Sequence, residues 1–349
     1  MLYSAFLALA YKVLGHSFYI AGYLQSLLAS AMVLAVYFIA QTVFKDRTIS
    51  FLSAAMLAID QPMVHLTTTL NTEALYIPFL TFAILFLVMY RASGFTKMPL
   101  VWLSLGGIFL GLAVIIREVI VLMPLFLFPW ILIWGKPYQK GRFARRIRDF
   151  ALMLACMAML ILPITVKNYI NTGRFHLVYR SGGASWSLSS NWGEDNDPSN
   201  ERLIALGIDP FTDIAGSVCN IIRKPVDFCN ELLRLIPLRM RNLFLWPKFG
   251  YFDPVYMFNP FRIVNEYGAI MIFYYIMLLL ASAVIFIFSR AEAALRLLVG
   301  MPVIYYCIFH GVFFLCMTTR YAAPMTPFLC IILAYGLVCI FRALWDVKA

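Results

Sequence analysis

The chain has 349 residues, of which 62% are hydrophobic, and its formal net charge is +11. Soluble domains are close to half apolar, so a single soluble core cannot absorb this much apolar surface, and the composition excludes an ordinary soluble protein. The basic residues flank long apolar segments, as the cytoplasmic anchors of membrane proteins do. We therefore expect membrane lipids, and no nucleic acid, among the partners.

Apolar segments of about 20 residues recur along the chain, which is the length of an α-helix that crosses a bilayer. They are too long and too uniformly apolar for the strands of a membrane barrel. The sequence therefore predicts an all-α polytopic membrane protein with about nine transmembrane helices. After a short apolar segment at 1–16, which favours an interfacial or re-entrant piece, the expected spans are 18–41, 49–69, 73–90, 99–117, 118–134, 150–169, 267–289, 297–317 and 321–341.

The lysines and arginines between these spans fall almost entirely on alternate gaps, which indicates the cytoplasmic side by the positive-inside rule. The short gaps on the opposite side contain only Lys12, Arg117 and Arg320. We expect the carboxyl terminus in the cytoplasm and the long loop outside. The basic residues of the cytoplasmic gaps are Lys45, Arg47, Arg91, Lys97, Lys136, Lys140, Arg142, Arg145, Arg146, Arg148, Arg290, Arg296, Arg342 and Lys348.

One segment of about 95 residues differs in composition from the rest and is long enough to be translocated regardless of its charge. It divides the chain into N-terminal transmembrane helices at 1–169, an outer loop domain at 170–266 and C-terminal transmembrane helices at 267–349. Within the loop, 217–246 predicts amphipathic helices with one apolar and one basic side. Such helices lie in the headgroup plane and attract anionic lipid; a small solvated cap is the alternative.

Ionisable residues at the ends of apolar spans are costly and usually serve a pathway or a site. Glu73 starts a span on the predicted outer side, where a catalytic role would make it an acceptor for sugar hydroxyls, a metal ligand or a base. The alternative is an ordinary helix start, since the helix dipole favours an acid there and Thr72 could cap the same helix. Arg117 and Glu118 separate two spans; the pair is either a neutralised kink or a phosphate clamp, because arginine binds phosphate oxygens bidentately.

A second cationic position begins the last span. Arg320 and Tyr321 are either an interfacial anchor or a phosphate clamp with a tyrosine hydroxyl beside it. Arg174, at the entry to the outer loop, is a weaker candidate for phosphate binding. We find no nucleotide-binding glycine pattern, no nucleophile elbow and no zinc-type spacing in the sequence.

Several short elements, in this order, resemble those of GT-C superfamily glycosyltransferases, in particular the dolichyl-phosphate-mannose protein mannosyltransferase-like and aminoarabinose transferase-like families. Each element is short, and the resemblance rests on their order and spacing together. They are the start at 2–17, Thr72-Glu73-Ala74-Leu75-Tyr76, the Gly107–Pro124 segment with Arg117 and Glu118, Pro163–Asn168 followed by Asn171-Thr172-Gly173, and Arg320-Tyr321 with Pro324.

The resemblance implies a membrane glycosyltransferase that moves a sugar from a polyprenyl-phosphate carrier to a lipid or protein acceptor on the outer face of a bacterial inner membrane. It implies that Arg320 and Arg117 bind the carrier phosphate, whose charge develops as the bond breaks. No cofactor follows with certainty, and a divalent metal ion stays open. The alternative is an inactive GT-C relative, or a membrane protein that binds or transports polyprenyl-phosphate lipid.

One departure from the family pattern concerns the general base. The family's acidic pair lies in a first outer loop that follows a first transmembrane helix, and this sequence begins just after the corresponding place. The predicted topology places the amino terminus outside without a signal peptide, which also indicates one more transmembrane helix before Met1. We therefore expect either an additional N-terminal segment of some tens of residues in the natural protein or a degenerate relative. The resemblance does not assign the role of this missing acid to Glu73.

Overall fold

The structure is a computed structural model that describes residues 2–93, 99–134, 142–172, 178, 206, 214–231, 233–234, 237, 277–309 and 323–346. Every regular element within these ranges is a helix. This confirms the predicted all-helical class, and it follows from lipid exposure, since an isolated backbone in lipid satisfies its own polar groups only as a helix.

The first two helices form the amino-terminal layer. Helix α1 (Leu2–Leu14) has 13 residues, about 20 Å at 1.5 Å per residue, which is too short to cross a bilayer and agrees with an interfacial segment. Helix α2 (Phe18–Phe44) has 27 residues, about 40 Å long. It ends at Lys45, which adopts a left-handed conformation (φ 55°) and bonds its backbone N–H to the Gln41 carbonyl.

The predicted single span at 49–69 is interrupted. Helix α3 (Arg47–Ala58) and helix α4 (Gln61–Thr68) meet at an angle of 51°. The break has a local cause: the Asp60 carboxylate accepts the Met63 backbone N–H at 3.0 Å, and Pro62 in the first turn of α4 has no N–H to continue the preceding helix. The predicted span is therefore a bent pair of helices rather than one regular helix, and α3 and α4 together still pass as one broken span.

Three further long helices pack in series, beginning at α2. Helix α5 (Glu73–Ala92) packs against α2 and against helix α6 (Pro99–Ile116), and α6 packs against helix α8 (Arg142–Thr172). Two glycines allow the close approach of α6 to α8: a Cβ at Gly107 would lie 2.4 Å from the Met153 carbonyl oxygen, and one at Gly111 would lie 3.0 Å from the Met157 carbonyl oxygen. Small residues one turn apart are a common feature of such membrane contacts.

The predicted span at 118–134 is a composite element. It starts as a 3₁₀ turn (Glu118–Leu122) and continues as helix α7 (Met123–Trp134). Trp130 anchors it inside the protein, since the Trp130 indole N–H donates to the Ala294 carbonyl at 2.8 Å. The pair of segments is apolar but falls below the length of a regular span.

The remaining helices come from the second half of the chain. They are α9 (Ile214–Arg223), α10 (Met277–Ile287), α11 (Ala293–Ile308) and α12 (Thr326–Asp346), the last preceded by a 3₁₀ turn (Ala323–Met325). Helix α9 overlaps the start of the predicted amphipathic segment at 217–246, residues 225–231 are helical as well, and about half of 224–246 lies outside the described residues.

Within the described residues, five helices are long and apolar enough to cross a membrane, or six if α3 and α4 count as one bent span. The protein is therefore a multi-pass membrane protein. The expected number of nine spans is not confirmed, in part because the predicted spans at 267–289 and 297–317 are only partly described.

The chain divides into two compact units. The first contains residues 1–178, 266–303 and 323–349, and the second contains residues 179–265 and 304–322. All contacts discussed below lie within the first unit. The boundaries that the sequence predicts for the outer loop domain stay a prediction.

Candidate functional site

The site begins with a buried acid at the start of a membrane span. Glu73 is the first residue of α5 and is 3% exposed. The whole first turn and a half of α5, residues 73–78, is buried as well. A carboxylate in such a place is costly unless an opposite charge and hydrogen bonds accompany it, so its partners define the site.

The partner charge comes from the end of α6. The helix stops at Ile116, and Arg117 takes an extended backbone conformation (φ −141°, ψ 113°) before the 3₁₀ turn. From there its guanidinium Nη2 donates to the Glu73 Oε1 in an ion pair. The Arg117 side chain is 24% exposed, so a ligand can reach its guanidinium while the carboxylate below it is buried.

A threonine hydroxyl joins the two charges. The Arg117 Nε donates to the Thr72 Oγ1 at 3.2 Å, and the Thr72 hydroxyl donates to the Glu73 Oε2 at 3.0 Å. Thr72 was expected to cap α5, but its backbone is helical and its side chain makes no capping bond. That expectation was wrong, because the Thr72 hydroxyl instead forms hydrogen bonds with Glu73 and Arg117.

The loop before α5 is held by a hydrogen-bonded network that the sequence analysis missed. Gln25, fully buried in α2, donates its amide to the Thr67 carbonyl at 2.9 Å and the Thr69 carbonyl at 3.0 Å. Its side-chain oxygen accepts the Tyr3 hydroxyl at 2.9 Å. An amide side chain within a long apolar helix is the sequence signal for this network, since polar residues in spans usually have a partner.

Tyr3 shows that this end of the protein is shielded. Burial of its ring, with Tyr11 and Glu73 nearby, raises the pKa of Tyr3 to about 12. The Tyr3 hydroxyl therefore stays protonated, which keeps it a donor to Gln25 across the physiological range. The network thus fixes the position of residues 67–69, which lead directly into Thr72 and Glu73.

Of the residues predicted for the site, the structure brings Glu73 and Arg117 together. Glu118 follows Arg117 at the start of the 3₁₀ turn and is half-buried there. Arg174, Arg320 and Tyr321 lie outside the described residues. Their roles stay predictions, and so does the chemical role of the pair itself.

A metal site is not formed by the described part of the chain: within it, no group of three His, Cys, Asp or Glu side chains is close enough to hold an ion. What the arrangement offers is a cationic guanidinium, partly accessible, with a buried carboxylate and a hydroxyl behind it. Such a group suits an anionic oxygen or a polyhydroxylated ligand, because arginine donates to phosphate and hydroxyl oxygens in a fixed geometry.

The fold and this acid–arginine pair define a multi-pass helical membrane protein with a polar site at the end of a span. The family model described as dolichyl-phosphate-mannose-protein mannosyltransferase matches residues 8–179, just under half of the chain. The match includes Glu73, Arg117 and the elements at 72–76, 107–124 and 163–173. The match agrees with the resemblance of these elements to GT-C superfamily glycosyltransferases.

Solved structures show the same fold. The chain is similar to the Archaeoglobus fulgidus oligosaccharyltransferase AglB in complex with an inhibitory peptide and a dolichol-phosphate, at 15% identity and a TM-score of 0.57, over 99% of this chain and 43% of that one. It is also similar to an oligosaccharyltransferase of the same organism in complex with Zn and sulfate, at 14% identity and a TM-score of 0.57, over 98% and 40% of the two chains.

The chain thus spans less than half the length of the structures it matches. A search of curated proteins gave no significant match.

Proposed function

We propose that the protein transfers a sugar from a polyprenyl-phosphate carrier to a lipid or protein acceptor on the outer face of a bacterial inner membrane. The single observation that supports it most is the ion pair of Glu73 and Arg117, held by Thr72 at the end of a span. It lies inside the segment that the mannosyltransferase family model matches. The solved relative bound to a dolichol-phosphate and a peptide supports the classes of donor and acceptor.

The reaction requires that the negative charge developing on the phosphate be neutralised. An acceptor hydroxyl oxygen attacks the anomeric carbon of the sugar, and the bond from that carbon to the phosphate oxygen breaks. The electron pair leaves with the polyprenyl phosphate, and the hydroxyl proton passes to a base. Arginines that contact the phosphate stabilise the developing charge, and we assign this role to Arg117 and, from the sequence alone, to Arg320, with Tyr321, Glu118 and Arg174 near the same ligand.

Glu73 has a more specific role than its position in the sequence suggests. A carboxylate that is buried and bound to Arg117 and Thr72 holds the guanidinium in place. This contact favours a positioning role over that of general base, because a base must lie within reach of the acceptor hydroxyl. Glu73 therefore orients the phosphate-binding arginine in this proposal.

The test is a transfer assay in membranes that contain the natural full-length protein. A panel of radiolabelled polyprenyl-phosphate sugars is supplied, and label in lipid and protein acceptors is measured. Arg117→Lys keeps the charge beside Glu73 but loses the planar fork, so we expect transfer to fall by about 10²-fold. Arg320→Ala should abolish transfer while membrane insertion persists.

The matched control is Arg47→Lys, the same change at an exposed arginine at the start of α3. It should leave transfer unchanged. Equal activity of Arg117→Lys and the control would contradict the assignment of Arg117. A wild-type protein that retains the donor lipid but transfers no sugar to any acceptor would favour the inactive or lipid-binding relative instead.

A further inference from the structure

A polar cavity separate from the Glu73–Arg117 pair lies at other helix ends, where α2 and α12 stop and α3 begins. Its volume is about 390 Å³, within the range of small-ligand sites. It contains none of the residues around Glu73. The lining residues are Thr42, Val43, Phe44, Lys45, Asp46, Ile49, Arg290, Ala291, Glu292, Leu295, Tyr335, Cys339 and Arg342.

The acidic side chains that line this cavity both take part in ion pairs. Asp46 pairs with Arg342 at 2.7 Å, and Glu292 pairs with Arg91. Burial acts to raise the pKa of Asp46, but the hydrogen bond from Arg342 and those from two backbone N–H groups together hold that pKa below its ordinary value. Both carboxylates of the lining therefore have an arginine partner.

Two cations remain. Among the described residues, neither Lys45 nor Arg290 has an ion pair or a hydrogen bond from its side chain, and both side chains are exposed at the cavity. The left-handed backbone of Lys45 (φ 55°) ends α2 abruptly at this point. The cavity therefore presents uncompensated positive charge to a ligand, with an ammonium and a guanidinium that both donate to phosphate oxygens.

The same cavity is apolar on its inner side. Val43, Ile49 and Leu295 are buried in its lining. Phe44 and Tyr335 stack beside them, with ring centroids 4.4 Å apart and planes at 16°. The lining thus changes from exposed basic residues to buried apolar residues, which matches a molecule with an anionic head and a hydrocarbon part. A small free phosphate would leave the apolar side without a partner.

We propose that this cavity binds the phosphate headgroup of an anionic membrane lipid. Helices α2 and α12 are both long enough to cross a bilayer and both end here, and the end of a span lies at headgroup depth. Lys45 and Arg290 contact the phosphate, and Val43, Leu295 and Tyr335 contact the glycerol and upper acyl carbons. The inference does not depend on the proposed transfer reaction.

The test measures binding rather than catalysis. The full chain is purified in an uncharged detergent and titrated with phosphatidylglycerol, phosphatidylcholine or glycerol 3-phosphate, and the bound molecules are counted by native mass spectrometry. We expect phosphatidylglycerol to bind more tightly than either of the others. Lys45→Gln and Arg290→Gln should each weaken it about fivefold, since one basic residue at a membrane surface contributes about that factor.

Two further variants separate charge from misfolding. Lys45→Arg keeps the charge and should retain binding of phosphatidylglycerol. Arg47→Gln removes an equally exposed charge at the same end of the protein, outside the cavity, and should change binding less than twofold. Equal weakening by Arg47→Gln and Lys45→Gln would overturn the site. Glycerol 3-phosphate binding as tight as that of phosphatidylglycerol would overturn the lipid as the source of the phosphate.

Discussion

At the scale of single residues, Glu73 and Arg117 are unequal members of one pair. The glutamate is 3% exposed, whereas the arginine side chain is 24% exposed. Loss of the arginine leaves a buried charge without its ion-pair partner, and loss of the glutamate leaves a cation that water can still reach. The cost of breaking the pair therefore depends on which member is removed.

A double-mutant cycle tests this inequality. We expect Arg117→Gln to destabilise the protein by about 3–5 kcal/mol, because the buried carboxylate loses its ion pair, and Glu73→Gln to cost about 1–3 kcal/mol, as for a lost hydrogen-bonded group. The double variant should be more stable than the sum of the two losses predicts. Unfolding of the purified protein in detergent measures all three, and strictly additive losses would show that the two side chains do not interact.

Sequence reasoning found these two residues but not their relationship. An ionisable residue at the end of an apolar span is visible in the sequence, and both were chosen for that reason. Their contact joins positions 44 apart in the chain, so it depends on how far α6 extends along α5 before it stops. The point at which α6 ends beside α5 depends on helix packing rather than on the local sequence. The hydrogen bonds of the Thr72 hydroxyl to both charged groups depend on the same packing.

At the scale of helices, the close contact of α6 with α8 depends on a missing side chain. Gly107 faces the backbone of α8, and a Cβ there would approach the Met153 carbonyl to 2.4 Å, a distance that forces α6 and α8 apart. Gly300 in α11 provides the opposite case, since a Cβ there meets nothing within 4 Å. Substituting alanine at each of these two glycines separates the effect of packing, at Gly107, from the effect of helix propensity, at Gly300.

We expect Gly107→Ala to destabilise the protein by about 1–3 kcal/mol through overpacking. Gly300→Ala should be neutral or stabilising by up to about 1 kcal/mol, because alanine loses less backbone entropy than glycine in a helix. Thermal unfolding of the two variants beside the wild type measures both effects. Equal melting temperatures for the two variants would mean that α6 and α8 are not in close contact.

The break between α3 and α4 shows what hydropathy alone omits. The apolar pattern runs through 49–69, so a count of apolar residues predicts one helix. The sequence Asp60-Gln61-Pro62 carries the opposite signal, a helix cap followed by a residue without an N–H, and the structure bends there by 51°. At this point the cap at Asp60 and the proline at Pro62 predict the helix boundary better than the apolar run does.

At the scale of the whole molecule, the orientation in the membrane is still a prediction from the basic residues. Cys219 and Cys229 are free and exposed, and both belong to the segment expected outside. A membrane-impermeant maleimide should label them in intact cells, and Cys219→Ser with Cys229→Ser should remove the label. In that double-serine background, Arg47→Cys places a cysteine at the predicted cytoplasmic face and should react only after the membrane is opened. Labelling in the reverse order would invert the topology.

The class of protein is easier to predict from the sequence than the number of its spans, for a physical reason. Composition and apolar length identify a helical membrane protein, because lipid permits few other structures. The short family elements agree with the mannosyltransferase family model, which matches residues 8–179. The number of spans was harder, since several apolar segments are short, bent or composite. The exposed cations Lys45 and Arg290 were noted in the sequence only as topology signals, because their shared cavity depends on tertiary packing.

The buried amide of Gln25 has a consequence for how the chain is made. Helix α2 leaves the ribosome before residues 67–69, whose carbonyls lie 42 and 44 positions from Gln25. Until α4 arrives, this amide in the third turn of an apolar helix lacks these acceptors, and hydrocarbon offers no substitute. We therefore expect helix α2 to stay beside the insertion machinery, or near water, and to enter the bilayer together with the bent pair of α3 and α4.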